Sequence, residues 1–522
     1  MAPILIAFLT LLPFLISFVI HLRRTSASAN LPPSPPRLPI LGNLLQIMSS
    51  LPHRSLHSLS KRYGPIVLLH FGSTPTVVVS SSDLAEKVMK THDLVFASRP
   101  RSSISDRLFY NSSDVAFAPY GELWRQKKKI CVLHLLSSKR VQSFRLVREE
   151  EVALLLSSIR SSSSPSTSSI TPVNLSEKLM NFTNDIICRT AMGRKFSGKK
   201  GIQETLREFI ELLGSFSMAD YVPWLGWVDR LSGLDARVKR TSEKLDELLE
   251  QIMEVHLSRD REEEEEEEEE EGGGGGGRGE EEDGADLVDV LLSLRDSDSA
   301  SALQKEAAKA LILDMFAAGT DTTFTVIEWT MAELIRHPKW MHMVQEEIRR
   351  TAHAVEFQGI VVEEDIDKMI RLRAVIKEAL RLHIPVPLLV PRLVTEDTNL
   401  NGYDIPAGTR LMINAWAIAR DPSYWDNSEE FYPQRFLESS DVDFKGQHFY
   451  FTPFGAGRRA CPGIGYAMAV VECALANLLY HFEWEIPKEM KEEVIDMTEA
   501  PGITAQKKTN LILIAKSHVS FN

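Results

Sequence analysis

The sequence predicts a mostly α fold with a minor β component, a single large domain behind an N-terminal membrane anchor. Three observations carry that expectation. Apolar residues recur at helical spacing over long stretches, above all Ala302–His337 and from Cys461 to about Tyr480. Runs rich in β-branched residues are short and few, with Pro65–Gly72 and Pro75–Ser80 forming a predicted hairpin. No linker divides residues 31–522, although length alone would allow about three domains.

The first element is Ile4–Ile20, an uncharged apolar run followed at once by Arg23 and Arg24. Extended to Ala2–Leu22, it would rise about 31 Å as a helix, close to the hydrocarbon thickness of a bilayer. A cleaved signal peptide carries its positive charge before the apolar run. Here the arginines follow, which favours a retained anchor (1–24) with the rest of the chain in the cytosol. Residues 25–41 form a proline-rich hinge. Its five prolines between Leu31 and Pro39 suit a stiff spacer.

Residues 42–522 form the expected globular domain. Leu135 to about Leu156 reads as helix and Ser157–Ser169 as a serine-rich loop. Helices are expected from about Trp340 to Thr351 and over Ile366–Leu382, and a strand over Thr409–Ala415. The net charge of −13 is local. Residues 261–286 hold fifteen acids and two arginines, so the remaining chain is neutral. That insert, with Gly272–Gly277, is expected to be disordered. A neutral body without a basic stripe argues against nucleic acid as a partner. Four scattered cysteines exclude a disulfide scaffold, and the absence of a C-x-x-C pair speaks against a zinc ribbon.

The sharpest chemical signal is Phe454–Gly463, FGAGRRACPG. Gly455, Gly457 and Gly463 allow close backbone approach. Cys461 precedes an apolar helix expected to begin near Pro462, and a helix N-terminus stabilises a thiolate. The pattern F-x-x-G-x-R-x-C-x-G is matched by Phe454, Gly457, Arg459, Cys461 and Gly463. This resembles the haem-thiolate loop of the cytochrome P-450 family. Ala318-Gly-Thr-Asp-Thr-Thr323 weakens an otherwise apolar helix with polar residues, as a pocket wall would. Glu378-Ala-Leu-Arg381 and Phe431–Phe436 follow in the same order as in that family. The likeness covers essentially the whole chain and is closest to plant microsomal A-type members.

The resemblance implies haem b with the Cys461 thiolate as axial ligand. It implies Arg99, Trp124, Lys128, Arg392, Phe454 and Arg459 around the haem, the cations facing its carboxylates. It implies Asp321 and Thr322 in proton delivery, and a structural cluster of Glu378, Arg381 and Arg435. The activity it implies is a monooxygenase of the endoplasmic reticulum membrane. Such an enzyme uses O2, electrons from an NADPH-dependent flavin reductase and a small lipophilic substrate. Segments 102–117, 215–222, 312–318 and 386–390 would line the substrate pocket. An isomerase or dehydratase of the same fold, or a non-catalytic haem protein, are the alternatives; Asp321 and Thr322 argue against both. Two departures stand out: Lys128 replaces the family's usual arginine, and Ile384 stands where proline commonly follows Leu-Arg-Leu-His.

Overall fold

A computed structural model describes residues 30–48, 51–163, 171–196, 200–270, 285–296, 303–353, 359–487 and 495–518, with side chains of the longest helix described to residue 259. The expected anchor, residues 1–24, lies outside the described residues, as do 25–29 of the hinge and 271–284 of the insert.

The architecture is mostly α, organised around the helix Lys305–Arg336. It crosses the core against Leu175–Met192, Ile370–Leu382 and Ile464–His481. Burial of nearly every side chain from Ala307 to Phe316 and from Thr323 to Leu334 explains its continuous apolar pattern. Gly319 allows the closest approach: a Cβ there would lie 2.7 Å from the Ile187 side chain. Both Lys305–Arg336 and Ile464–His481 are long and apolar enough to cross a bilayer, yet most of each is buried inside the protein.

The predicted hairpin is Ile66–Phe71 paired antiparallel with Thr74–Val79. Arg410–Ile413 joins it in parallel, and Arg392–Leu393 completes a four-stranded sheet. Smaller sheets join Val173–Asn174, Ile512–Ser517 and Phe482–Glu485, and Thr398–Leu400 with Tyr403–Ile405.

Several expectations are corrected. The predicted helix from Leu135 is broken at Phe144, between Ser138–Ser143 and Arg145–Ser163. The latter carries helix through Ser163, where a serine loop was expected, because its apolar face packs on Leu175–Met192 and Ile464–His481. The helix expected over Ile366–Leu382 is two, Glu363–Ile366 and Ile370–Leu382. Pro338 ends one helix and starts the next, since proline suits the first helical turn. The helix Leu234–Glu270 runs into the acidic tract rather than yielding to disorder at residue 261. Glutamate is a good helix former, and propagation from a packed helix needs no new nucleus. The described part of the hinge, 30–41, is docked rather than free. Pro33 and Pro36 accept hydrogen bonds from Leu68 N–H and the Asn43 side chain. Prolines lack N–H groups, so their carbonyls carry the attachment.

Candidate active site

The Cys461 loop is built by its own backbone. Cys461 N–H donates to the Phe454 carbonyl at 3.0 Å, and Ala460 N–H to Gly457 at 3.0 Å. Phe454 is half-buried and packs edge-on against Phe444. Gly457 adopts φ +70°, and a Cβ there would lie 1.9 Å from the Met89 carbonyl oxygen. The glycine therefore seats the loop on the wide turn Lys87–Thr91. The following helix begins at Ile464, not near Pro462. Burial pushes the Cys461 thiol up, offset by Gly463 N–H and the Lys128 ammonium. The helix end alone does not depress it. Cys131, Cys188 and Cys473 are buried; Cys461 is the one cysteine with part of its surface open.

Arg459 of this loop, Arg99 and Arg392 form one cluster of mutually repelling cations. Arg459 donates to the carbonyls of Ala97, Val115 and Ala118, and its guanidinium lies 4.1 Å from the Trp124 ring centre. Trp124 Nε1 also donates to Val115, at 3.0 Å. Arg99 donates to the carbonyls of Ala116, Val390 and Pro391. Arg392 donates to the Ala456 carbonyl at 3.3 Å and pairs with Asp93 at 3.2 Å. Burial holds the Arg99 guanidinium well below its usual range, reinforced by Arg459 and Arg392. Burial and Arg392 bring Arg459 down to about 9. Lys128 is placed differently from the expectation. Its ammonium donates to the Ala460 carbonyl at 2.7 Å, beside Cys461, as a point charge suits a single carbonyl.

The long helix opens where the sequence weakens it. Ala318 is exposed and Ala317, Gly319, Asp321 and Thr322 are half-buried, between two fully buried stretches. Thr322 Oγ1 donates to the Ala318 carbonyl at 2.5 Å. Burial raises the Asp321 carboxyl to about 6, with Thr504 and Gln506 pulling it back. Of the expected lining, Ile312–Phe316 is buried in the core rather than open. Ile384 is fully buried against Ala415 and Ala419, so it fills a core cluster.

Glu378, Arg381 and Arg435 meet as expected. Arg381 makes a two-pronged pair with Glu378, at 2.8 and 2.9 Å, both side chains fully buried. Arg435 adds a 3.2 Å contact. Sequence reasoning missed Asp93, which pairs with Arg392 and accepts Arg458 N–H. It also missed the role of Asp314, which lies inside the expected lining 312–318 and accepts Val115 N–H. Neither belongs to a local motif.

The pattern that defines the Cytochrome P450 family matches residues 32–514. The norfluorocurarine oxidase of Strychnos sp is 47% identical over 97% of each chain. The (+)-menthofuran synthase of Mentha piperita is 46% identical over 98% of each. A zebra fish cytochrome P450 structure with abiraterone superposes with a TM-score of 0.71 at 25% identity, covering 90% of this chain and 99% of that one.

The residues present fit the family's haem b. Among the described residues, Arg99 and Arg459 donate to carbonyls and have no carboxylate at ion-pair distance. Buried cations without a paired anion are costly, and the haem carboxylates are anions of the required kind. An open thiol beside them supplies the axial ligand. By sequence, fold and donor set the chain belongs to the cytochrome P450 family, with haem b held through the Cys461 thiolate.

Proposed function

We propose that this protein is a membrane-anchored monooxygenase that transfers one oxygen atom from O2 to a small lipophilic substrate. Its electrons come from an NADPH-dependent flavin reductase. The observation that carries the proposal is the open polar break Ala318–Thr322 in a helix that is otherwise buried. When bound, the haem supplies O2 activation, and its thiolate ligand favours O–O cleavage.

The chain's own residues then have separate tasks. Arg99, Arg392 and Arg459 orient the haem carboxylates and neutralise them. Asp321, with its carboxyl near 6, gains and loses a proton at neutral pH. Thr322 positions a hydroxyl, and with it water, at the helix opening. Glu378, Arg381 and Arg435 hold together the stretch from Ala419 to Tyr432 and touch no reactant.

Exposed Arg125 and Lys129, beside Tyr120 and Arg458, present a basic concave surface next to Lys128. This supports an acidic electron donor on that side. Leu38, Ile40, Leu45 and Met48 are exposed, as are Trp224, Trp227 and Leu231. Both groups attach to the hairpin tip, through Gly72 N–H to Leu41 and Ser73 N–H to Tyr221. These exposed apolar residues, with the run Ile4–Ile20, support a seat on the endoplasmic reticulum membrane facing the cytosol. Relatives named for norfluorocurarine oxidation and menthofuran synthesis support oxidation of a small organic molecule.

The test is reconstitution with a plant flavin reductase and a panel of lipophilic metabolites. Substrate-dependent NADPH and O2 consumption, with a product heavier by one oxygen from labelled O2, is expected. Rearranged product without O2 uptake would reject the monooxygenase reading.

A further inference from the structure

Asp314, on the long helix, and Asp114 are buried carboxyls outside the proton path proposed for Asp321 and Thr322. Asp314 Oδ2 accepts Val115 N–H at 2.6 Å. Asp114 Oδ2 accepts Phe117 N–H at 2.6 Å, while its Oδ1 is buried with no partner. The short segment they grip carries the acceptors of the haem-facing residues. Val115 accepts from Trp124 and Arg459, Ala116 from Arg99, and Ala118 from Arg459.

We propose that Asp114 and Asp314 are positioning residues that share one proton. Together they hold residues 115–118 against Arg99, Arg459 and Trp124, and leave one negative charge beside those cations. The proposal rests on Arg99 and Arg459 as the residues that bind the haem carboxylates. Two neighbouring buried carboxylates disfavour each other's ionisation, so one holds a proton more readily than a lone acid would. Asp314 grips the N–H of Val115, the residue next to Asp114, which sets its carboxyl in the same cluster as the unpartnered Asp114 Oδ1. Burial and the neighbouring Asp114 push Asp314 well above the usual carboxylate range, and burial raises Asp114 to about 6. The facing groups are Lys127 for both acids, Lys128 and the Cys131 thiol for Asp314, and Arg99 and Arg459 for Asp114. All but the thiol are cations, which favours keeping one of the two acids ionised.

The test uses the full-length haem-loaded protein. The infrared band of a protonated carboxylic acid is expected in the wild type and absent from Asp314→Asn. The haem midpoint potential is expected to stay put in Asp314→Asn, where one charge remains, and to move positive in Asp114→Asn/Asp314→Asn, where none does. Asp314→Ala frees Val115 and should speed haem loss about tenfold, with Asp314→Asn restoring the wild-type rate. Equal steps in potential for the single and double variants mean both acids are ionised and overturn the shared proton. An unmoved potential in the double variant, with the band present, overturns the coupling to the haem. Arg459→Met separates the premise: unchanged haem loss there removes the carboxylate site itself, whatever the band does.

Discussion

Two buried arginine clusters in this protein are solved in opposite ways. Around Glu378, Arg381 spends its donors on the carboxylate and on the carbonyls of Ala419, Ser428 and Glu430, and Arg435 closes the remaining side. Around Cys461, Arg99, Arg392 and Arg459 repel one another, and Asp93 pairs with Arg392 and Arg458 but with neither Arg99 nor Arg459. The first cluster carries its anion within the protein and is a joint. The second is left positive, as the proposed binding of the haem carboxylates requires. Residue type is alike in the two; one glutamate shared by two arginines closes the first cluster and leaves the second open.

The largest expected effect sharpens this contrast at the ligand. Cys461→Ala should abolish turnover and the absorption signature of the thiolate-bound reduced carbon monoxide complex, while the haem-free protein still folds. Retained signature and activity would remove Cys461 as ligand. Glu378→Ala should do the reverse, leaving two buried guanidiniums without their anion. A loss of about 3–5 kcal/mol in urea unfolding is expected, and an unchanged midpoint would dissolve the distinction between the clusters.

Thr322→Ala comes next. Product formed per NADPH should fall by up to about 10²-fold, since water replaces part of a lost hydroxyl, while hydrogen peroxide rises and substrate binding holds. An unchanged ratio in the haem-replete fraction would confine Thr322 to its bond with Ala318. Asp321→Asn should remove a limb near pH 6 from the turnover profile. The raised carboxyl also fixes a sign for stability. Folding disfavours its ionised form, so its contribution is present below about pH 4 and lost as pH rises toward 6. The Asn variant should lack that slope in pH-dependent unfolding. Smallest is Arg459→Met. Haem should leave about tenfold faster, with little change in unfolding of the haem-free protein; equal losses in both forms would make this cluster a joint as well.

Much of the site was legible because its chemistry is local. Phe454, Gly457, Arg459, Cys461 and Gly463 lie within ten residues, so spacing alone sets the loop. Glu378 and Arg381 stand one helical turn apart, and the polar break at Gly319–Thr323 interrupts an apolar pattern. The partners Asp93, Asp114 and Asp314 were not legible. Asp93 and Asp314 act on groups reached only through the fold, Arg392 and Val115, while Asp114 closes a local turn onto Phe117 that no helix or strand pattern marks. The break near Phe144 and the split before Ile370 were missed for a related reason: both flanking stretches keep helical composition, and packing decides where the chain turns.

By itself, then, the sequence determined the mostly helical class, the hairpin, the thiolate loop and the family, because each depends on residues near one another in the chain. Tertiary structure decided which cations are paired with an anion and which are left without one. It also put Lys128 on a backbone carbonyl and Gly319 against Ile187. Charge balance and close packing are sums over neighbours in space, and those neighbours come from segments tens to hundreds of residues apart.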